Sequence, residues 1–150
     1  MGLDMYLNAK KYLSSFKDKD IATREAIKEM KLDWVGDMEP IEVSFRAMYW
    51  RKANHIHKWF VDNVQDGEDE CRPHSVSTEK LKELLDVCKQ VLEDRGLASE
   101  LLPVQAGFFF GGTEYDDWYF GDVEDTIKGL EKILSIEGVE LLDFEYQSSW

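Results

Sequence analysis

The stretch Arg46-Ala-Met-Tyr-Trp-Arg-Lys-Ala-Asn-His-Ile-His-Lys-Trp-Phe-Val61 decides how the chain is read, because it gathers aromatic, basic and imidazole side chains in a protein of formal net charge −13. Turned at about 100° per residue, Tyr49, Ala53, Ile56, Phe60 and Val64 form one stripe, widened by Trp50, His57 and Val61. That spacing predicts a central helix with the stripe in the core. Arg51, His55, Lys58 and Asp62 fall on the opposite side, Lys52 and Trp59 on one border, and Asn54 on the other. Between Ile41 and Val64 four bases stand against two acids, a local positive island that can hold an anion. The competing reading is that these bases pair with neighbouring acids on a solvated face. His57 is likewise open to two readings, a satisfied core imidazole or a polar handle in an apolar pocket.

The 150 residues fit a single globular domain, and a hydrophobic share of 43% beside a charged share of 33% is that of a folded chain rather than a disordered one. The strongly negative charge excludes extended nucleic-acid binding, which needs clustered Lys and Arg over a long surface. No apolar run is long enough to cross a bilayer. Cys71 and Cys88 are too few for a disulfide framework and read as thiols, Cys88 on an apolar helix stripe.

Outward from the central stretch, Gly2 to Leu7 alternates as a strand with Leu3, Met5 and Leu7 inward and Asp4 and Tyr6 outward. Ile21 to Leu32 reads as a short helix capped by Asp20, and Trp34 to Pro40 as a loop. Ile41, Val43 and Phe45 then form a short strand leading into the central helix. Gln65 to His74 is an acidic loop without the order of a calcium site, and His55 and His57, two apart on a helix, point to different faces, which argues against a shared zinc site. The next helix is capped by Ser77, stapled by Val76 and Leu81, striped by Leu81, Leu84, Cys88 and Val91, and stopped by Gly96 at its C′ position.

The second unusual stretch is Val104 to Phe120. Val104 to Phe110 is expected as a strand and Gly111-Gly112 as a tight turn. Tyr115 to Phe120 is expected as a returning strand or an aromatic loop. Of three consecutive Phe residues at least one must face away from the others and find its own cover. Asp122 is expected to cap a helix running from Val123 to Ile136, stopped by Gly138. Val139 to Gln147, with Leu142, Phe144 and Tyr146 on one side, is expected as a strand beside the first. The fold class is therefore α+β: a small, mostly antiparallel sheet packed by about three main helices.

Met1-Gly-Leu-Asp-Met-Tyr-Leu7, Tyr49-Trp-Arg-Lys-Ala-Asn54 with Ile56-His57 and Trp59-Phe-Val61, Gly107-Phe-Phe-Phe-Gly111 with Thr113 and Tyr115-Asp116, and Ser149-Trp150 resemble a family of short, functionally uncharacterised proteins of tailed bacteriophages and prophages. The resemblance covers nearly the whole chain. It implies the host bacterial cytoplasm as setting and a role in countering host defence; a kinase label attached to some such proteins finds no phosphate loop here to support it.

The reading that follows is a binding protein for a small anionic, nucleotide-like ligand, with no catalytic residues, no metal and no cofactor. Arg51 or Lys52 would pair with phosphate, Asn54 and His57 would hydrogen-bond, and Phe109, Tyr115 or Trp118 would stack on a base. Two alternatives stand beside it. One is an acidic inhibitor that binds a host protein, imitating nucleic acid; the other is a hydrolase or transferase using His57 with Asp4 or Asp116. Exposed Phe residues would make the protein a homo-oligomer.

Overall fold

The computed structural model describes residues 2–33 and 35–150. Trp34, the first residue of the expected loop to Pro40, lies outside them. Strand β1 (Asp4–Tyr12) is central to the sheet. It pairs antiparallel with β2 (Glu42–Arg51) on one side and with β4 (Asp143–Ser149) on the other; β3 (His74–Val76) adds to β4 and completes the order β2-β1-β4-β3. The alternation at the start of β1 holds: Leu3, Met5, Leu7 and Ala9 are buried, while Asp4, Tyr6 and Asn8 sit on the open face. Phe144 and Tyr146 of β4 continue the inner face beside it, as their spacing predicts.

Helices α2 (Asn54–Val64), α3 (Thr78–Glu93) and α5 (Asp117–Leu134) cover the inner face. Ile56 and Phe60, then Leu84, Cys88 and Val91, then Val123 and Leu130 join the inward strand residues in one hydrophobic core. This is the two-layer α+β arrangement. Ser77 caps α3 by accepting from the Lys80 amide at 3.2 Å, as its sequence position predicts. Helix α1 (Asp18–Glu29) stands apart in the long β1–β2 connection, held by Arg24 on the Leu13 carbonyl and by Lys28 on Glu39. A single turn, α4 (Ala98–Leu101), precedes the loop that leads into α5. No helix among the described residues is long and apolar enough to cross a membrane.

The largest correction concerns the central stretch, which is half strand and half helix. Arg46 to Arg51 pairs with β1, and the helix begins only at Asn54. The register steps from Leu7 opposite Met48 to Asn8 opposite Arg46, so Ala47 is an extra residue, a bulge. A bulge interrupts the period of two, and the run of Tyr49, Ala53, Ile56 and Phe60 then imitates a helical period. Tyr49 consequently lies on the open face, 49% exposed, and its hydroxyl donates to Asp4 Oδ1. Trp50 faces the core and donates its indole N–H to Thr126 Oγ1 at 2.8 Å.

Five other expectations change. The carboxylate of Asp20 does not cap α1, which starts at Asp18; it accepts from the Ser14 amide and from Lys11 Nζ, tying the helix back to β1. Gly96 is not the stop of α3, since the helix ends at Glu93 and Asp94 turns the chain by accepting from the Gly96 amide. Val104 to Phe110 is not a strand but an irregular loop. Tyr115 to Phe120 is neither strand nor loop throughout: Asp116 accepts from the amides of Trp118 and Tyr119, capping α5 and moving its start ahead of the expected cap at Asp122. Val139 to Leu141 is a short 3-10 turn, and β4 begins after it.

Candidate functional site

A cleft of about 360 Å³ opens where four pieces of chain meet: the end of β2, the turn into α2, the loop around Gly111 and the first turns of α5. The turn is made by Lys52, whose φ of 59° is left-handed, and it is pinned by the Lys52 amide donating to the Leu3 carbonyl at 2.8 Å. Gly111 lies against it with φ of 95°; a Cβ there would sit 3.1 Å from the Lys52 carbonyl oxygen, so the close approach of the two loops depends on glycine. One wall carries Arg51 and Lys52, the other Glu114, Asp116, Trp118 and Asp122, with His55 and Tyr119 between them.

The cations are loosely held. Arg51 forms one ion pair among the described residues, with Asp4 at 3.9 Å, and Lys52 forms none. Trp118 is 85% exposed, an indole face turned outward beside these bases. On the acid wall Asp116 spends Oδ1 on its capping role. Asp122 has no side-chain hydrogen bond or ion pair among the described residues, and burial, followed by the charges of Asp125 and Asp116, pushes its carboxyl up to about 6. His55 is only 3% exposed and lies with its ring centroid 4.1 Å from that of Tyr119; burial pushes it down to about 3, so it is neutral at physiological pH, and its Nε2 has no partner.

Of the residues expected in the site, Arg51, Lys52, Asn54 and Trp118 line this cleft. Asn54, however, spends its amide on the protein. Nδ2 donates to the carbonyls of Phe110 and Gly112 at 3.1 and 2.8 Å, and Oδ1 accepts from the Gln105 amide at 2.9 Å. It fastens the loop that makes one wall.

His57 lies outside the cleft. It is fully buried, Nδ1 shares a 2.7 Å hydrogen bond with the Tyr146 hydroxyl, and Nε2 sits 3.1 Å from Asp69 Oδ1 in an alignment too poor for a hydrogen bond. Burial therefore outweighs the Asp69 charge and lowers its pKa. Asp69 in turn accepts from the Trp150 indole at 3.2 Å. The cluster joins α2, the acidic loop, the middle of β4 and the residue that follows it, and neither Asp4 nor Asp116 is a partner of the imidazole. Tyr115 also stands off the cleft, its hydroxyl accepting from the Val104 amide. Phe109, with φ of 72°, packs on Phe108; Phe110 alone of the three is buried.

Glu114, Tyr119, His55 and Asp122 line the cleft without having been expected there, and burial shifts the pKa of the last two. A single buried face on α2 puts His55 on the solvent side, whereas seven residues of the helix are buried in the structure, His55 among them. A signal for Asp122 was present. The apolar spacing of Val123, Ile127 and Leu130 extends back through Tyr119 and Phe120 to an Asp116 with N-cap chemistry, which puts Asp122 inside the helix.

No protein-family model, no curated protein and no solved structure matches the chain. The function must be argued from the cleft itself. A larger hollow of about 520 Å³, between Phe45, Ala47, Ile133 and Leu142, is mostly apolar and offers few groups to orient a ligand. Among the described residues no three His, Cys, Asp or Glu side chains converge as metal ligands would.

Proposed function

We propose that the protein binds a small phosphate-bearing, nucleotide-like ligand in the cleft between β2, α2 and α5, in keeping with a phage-type protein that sequesters such a molecule. The observation that carries this is the pairing of two loosely engaged cations, Arg51 and Lys52, with the exposed indole of Trp118 in one concave site. Phosphate recognition needs positive groups not already committed to carboxylates, and a base needs an aromatic face. The cleft volume of about 360 Å³ suits one small molecule rather than a polymer.

Titration calorimetry with nucleoside monophosphates, and native mass spectrometry of the protein taken from its producing cells, test this directly. Binding that weakens at least ten-fold in Arg51→Ala or Lys52→Ala supports the reading. A clean apo mass with no heat from any nucleotide, together with a co-purifying basic protein, overturns it in favour of the acidic-inhibitor alternative. The surface charge motivates that alternative, since the chain carries 31 acids against 18 Lys and Arg. Phe108, 84% exposed beside Phe109, supplies the apolar surface on which self-association would rest.

A further inference from the structure

Strand β2 is a free edge of the sheet: in the order β2-β1-β4-β3 no strand pairs with its outer side among the described residues. The opposite edge, β3, runs only from His74 to Val76, whereas β2 runs from Glu42 to Arg51. Exposed edges are usually blunted by shortness, by Pro or by an inward-pointing charge. β2 has none of these. Its inward positions before the bulge are Val43 and Phe45, and Phe45, 58% exposed, lines the apolar hollow with Ile133, Ile136 and Leu142. The Leu13 amide donates to the Ile41 carbonyl at 2.9 Å, so in the antiparallel alternation the backbones of Val43 and Phe45 also face β1, and those of Glu42, Ser44 and Arg46 face outward. The side chains of these last three lie on the open face of the sheet, where Arg46 stacks over Tyr6 at 4.3 Å and donates from Nε to Asn8. Arg46 has no carboxylate partner among the described residues in a chain of 31 acids, and Glu42 has only Lys10, at 3.9 Å.

We propose that β2 pairs with the β2 strand of a second copy of this chain, antiparallel about a two-fold axis at Ser44. In that register Ser44 meets the partner's Ser44, and Glu42 of each copy meets the partner's Arg46. All three residues hold their free N–H and C=O groups outward, so these are hydrogen-bonded pairs, and the two ion pairs lie on the open face. On the inner face Val43 meets the partner's Phe45, which covers apolar surface now open to water. Neighbouring registers match less well. An axis at Val43 sets Glu42 against Ser44, one at Phe45 sets Ser44 against Arg46, and one at Arg46 sets two guanidinium groups together. The pairing stops where Pro40 would face the partner's Met48 and where the bulge at Ala47 begins, so Arg51, Lys52 and the cleft lie outside it. The axis is normal to the sheet and keeps both helical layers on one side of a continuous sheet. Nothing in this pairing depends on what the cleft binds.

Sedimentation velocity on the whole chain, from about 1 to about 100 µM, tests this, with a particle of twice the chain mass expected at the upper end. Ser44→Pro removes the outward N–H at the axis without touching a bond to β1 and should leave a folded monomer, whereas Phe108→Ser should dimerise like wild type. Arg46→Glu sets two like-charge pairs across the axis and should raise the dimer dissociation constant roughly ten-fold or more. Glu42→Arg should do the same, and the double variant should return the constant close to the wild-type value, since the two charges exchange places. A circular-dichroism melt of each variant confirms folding; if Ser44→Pro does not fold, the charge series decides alone. A wild-type monomer at the highest concentration overturns the proposal, whether the edge is then empty or holds an extended segment of another protein. So does a dimer that survives in folded Ser44→Pro, or a double variant no tighter than the single ones.

Discussion

Replacing Asp122 by Asn should make the protein more stable at pH 8 and about half as much so at pH 5. In the folded protein burial and two neighbouring acids raise this carboxyl from 3.8 to about 6. The native state therefore holds the proton more tightly than the unfolded chain, so the group favours folding below about pH 4 and that contribution is lost as pH rises through 6. Above pH 7 the charged form carries the full shift as a cost. At about 1.4 kcal/mol per unit the ceiling is about 3 kcal/mol; partial exposure to solvent screening brings the expected gain from removing the charge to about 1–2 kcal/mol. Urea unfolding followed by tryptophan fluorescence at pH 5, 6, 7 and 8, on wild type and Asp122→Asn, measures it. The gap between the two should shrink by about 1 kcal/mol between pH 8 and pH 5, because wild type regains its proton there. His55 and His57 titrate in both proteins and cancel in the difference. A gap independent of pH, or a variant less stable than wild type at pH 8, would show that Asp122 is satisfied by contacts other than those seen.

Other consequences follow from the same geometry. His55, pushed from 6.5 down to about 3, takes up its proton on unfolding, so stability should fall by about 2–3 kcal/mol as pH drops from 7 to 4; His55→Gln should flatten that slope in a denaturant series. Asn54→Ala removes three hydrogen bonds that hold the loop before α5, and should cost about 2–4 kcal/mol with faster amide exchange over residues 103–116, read by mass spectrometry. Unchanged exchange there would mean the loop is held by Phe110 alone. Tyr146→Phe leaves His57 Nδ1 buried without its partner and should lower the unfolding free energy by about 1–3 kcal/mol in chemical denaturation.

What the sequence determined by itself were the elements whose signals are local. Alternation placed Leu3, Met5 and Leu7 inward, Phe144 and Tyr146 inward, and the stripe of α3 in the core, because burial on one face writes a period directly into the chain. Ser77 was legible for the same reason, since its side chain caps an amide three residues away. Arg51, Lys52 and Trp118 stood out by residue type in an acidic chain, and the structure brings them to one cleft.

Only the tertiary structure decided the rest. A bulge at Ala47 is defined by the partner strand, so no period within Arg46 to Val61 could show where strand gives way to helix. Whether His57 or His55 meets the cleft depends on α2 being enclosed from several sides, which packs both imidazoles inside and turns His57 towards Tyr146 and Asp69 and His55 towards Tyr119. The environment of Asp122 was invisible for the same cause. That no counter-ion stands beside it among the described residues depends on which residues distant in sequence come together when the sheet and helices close.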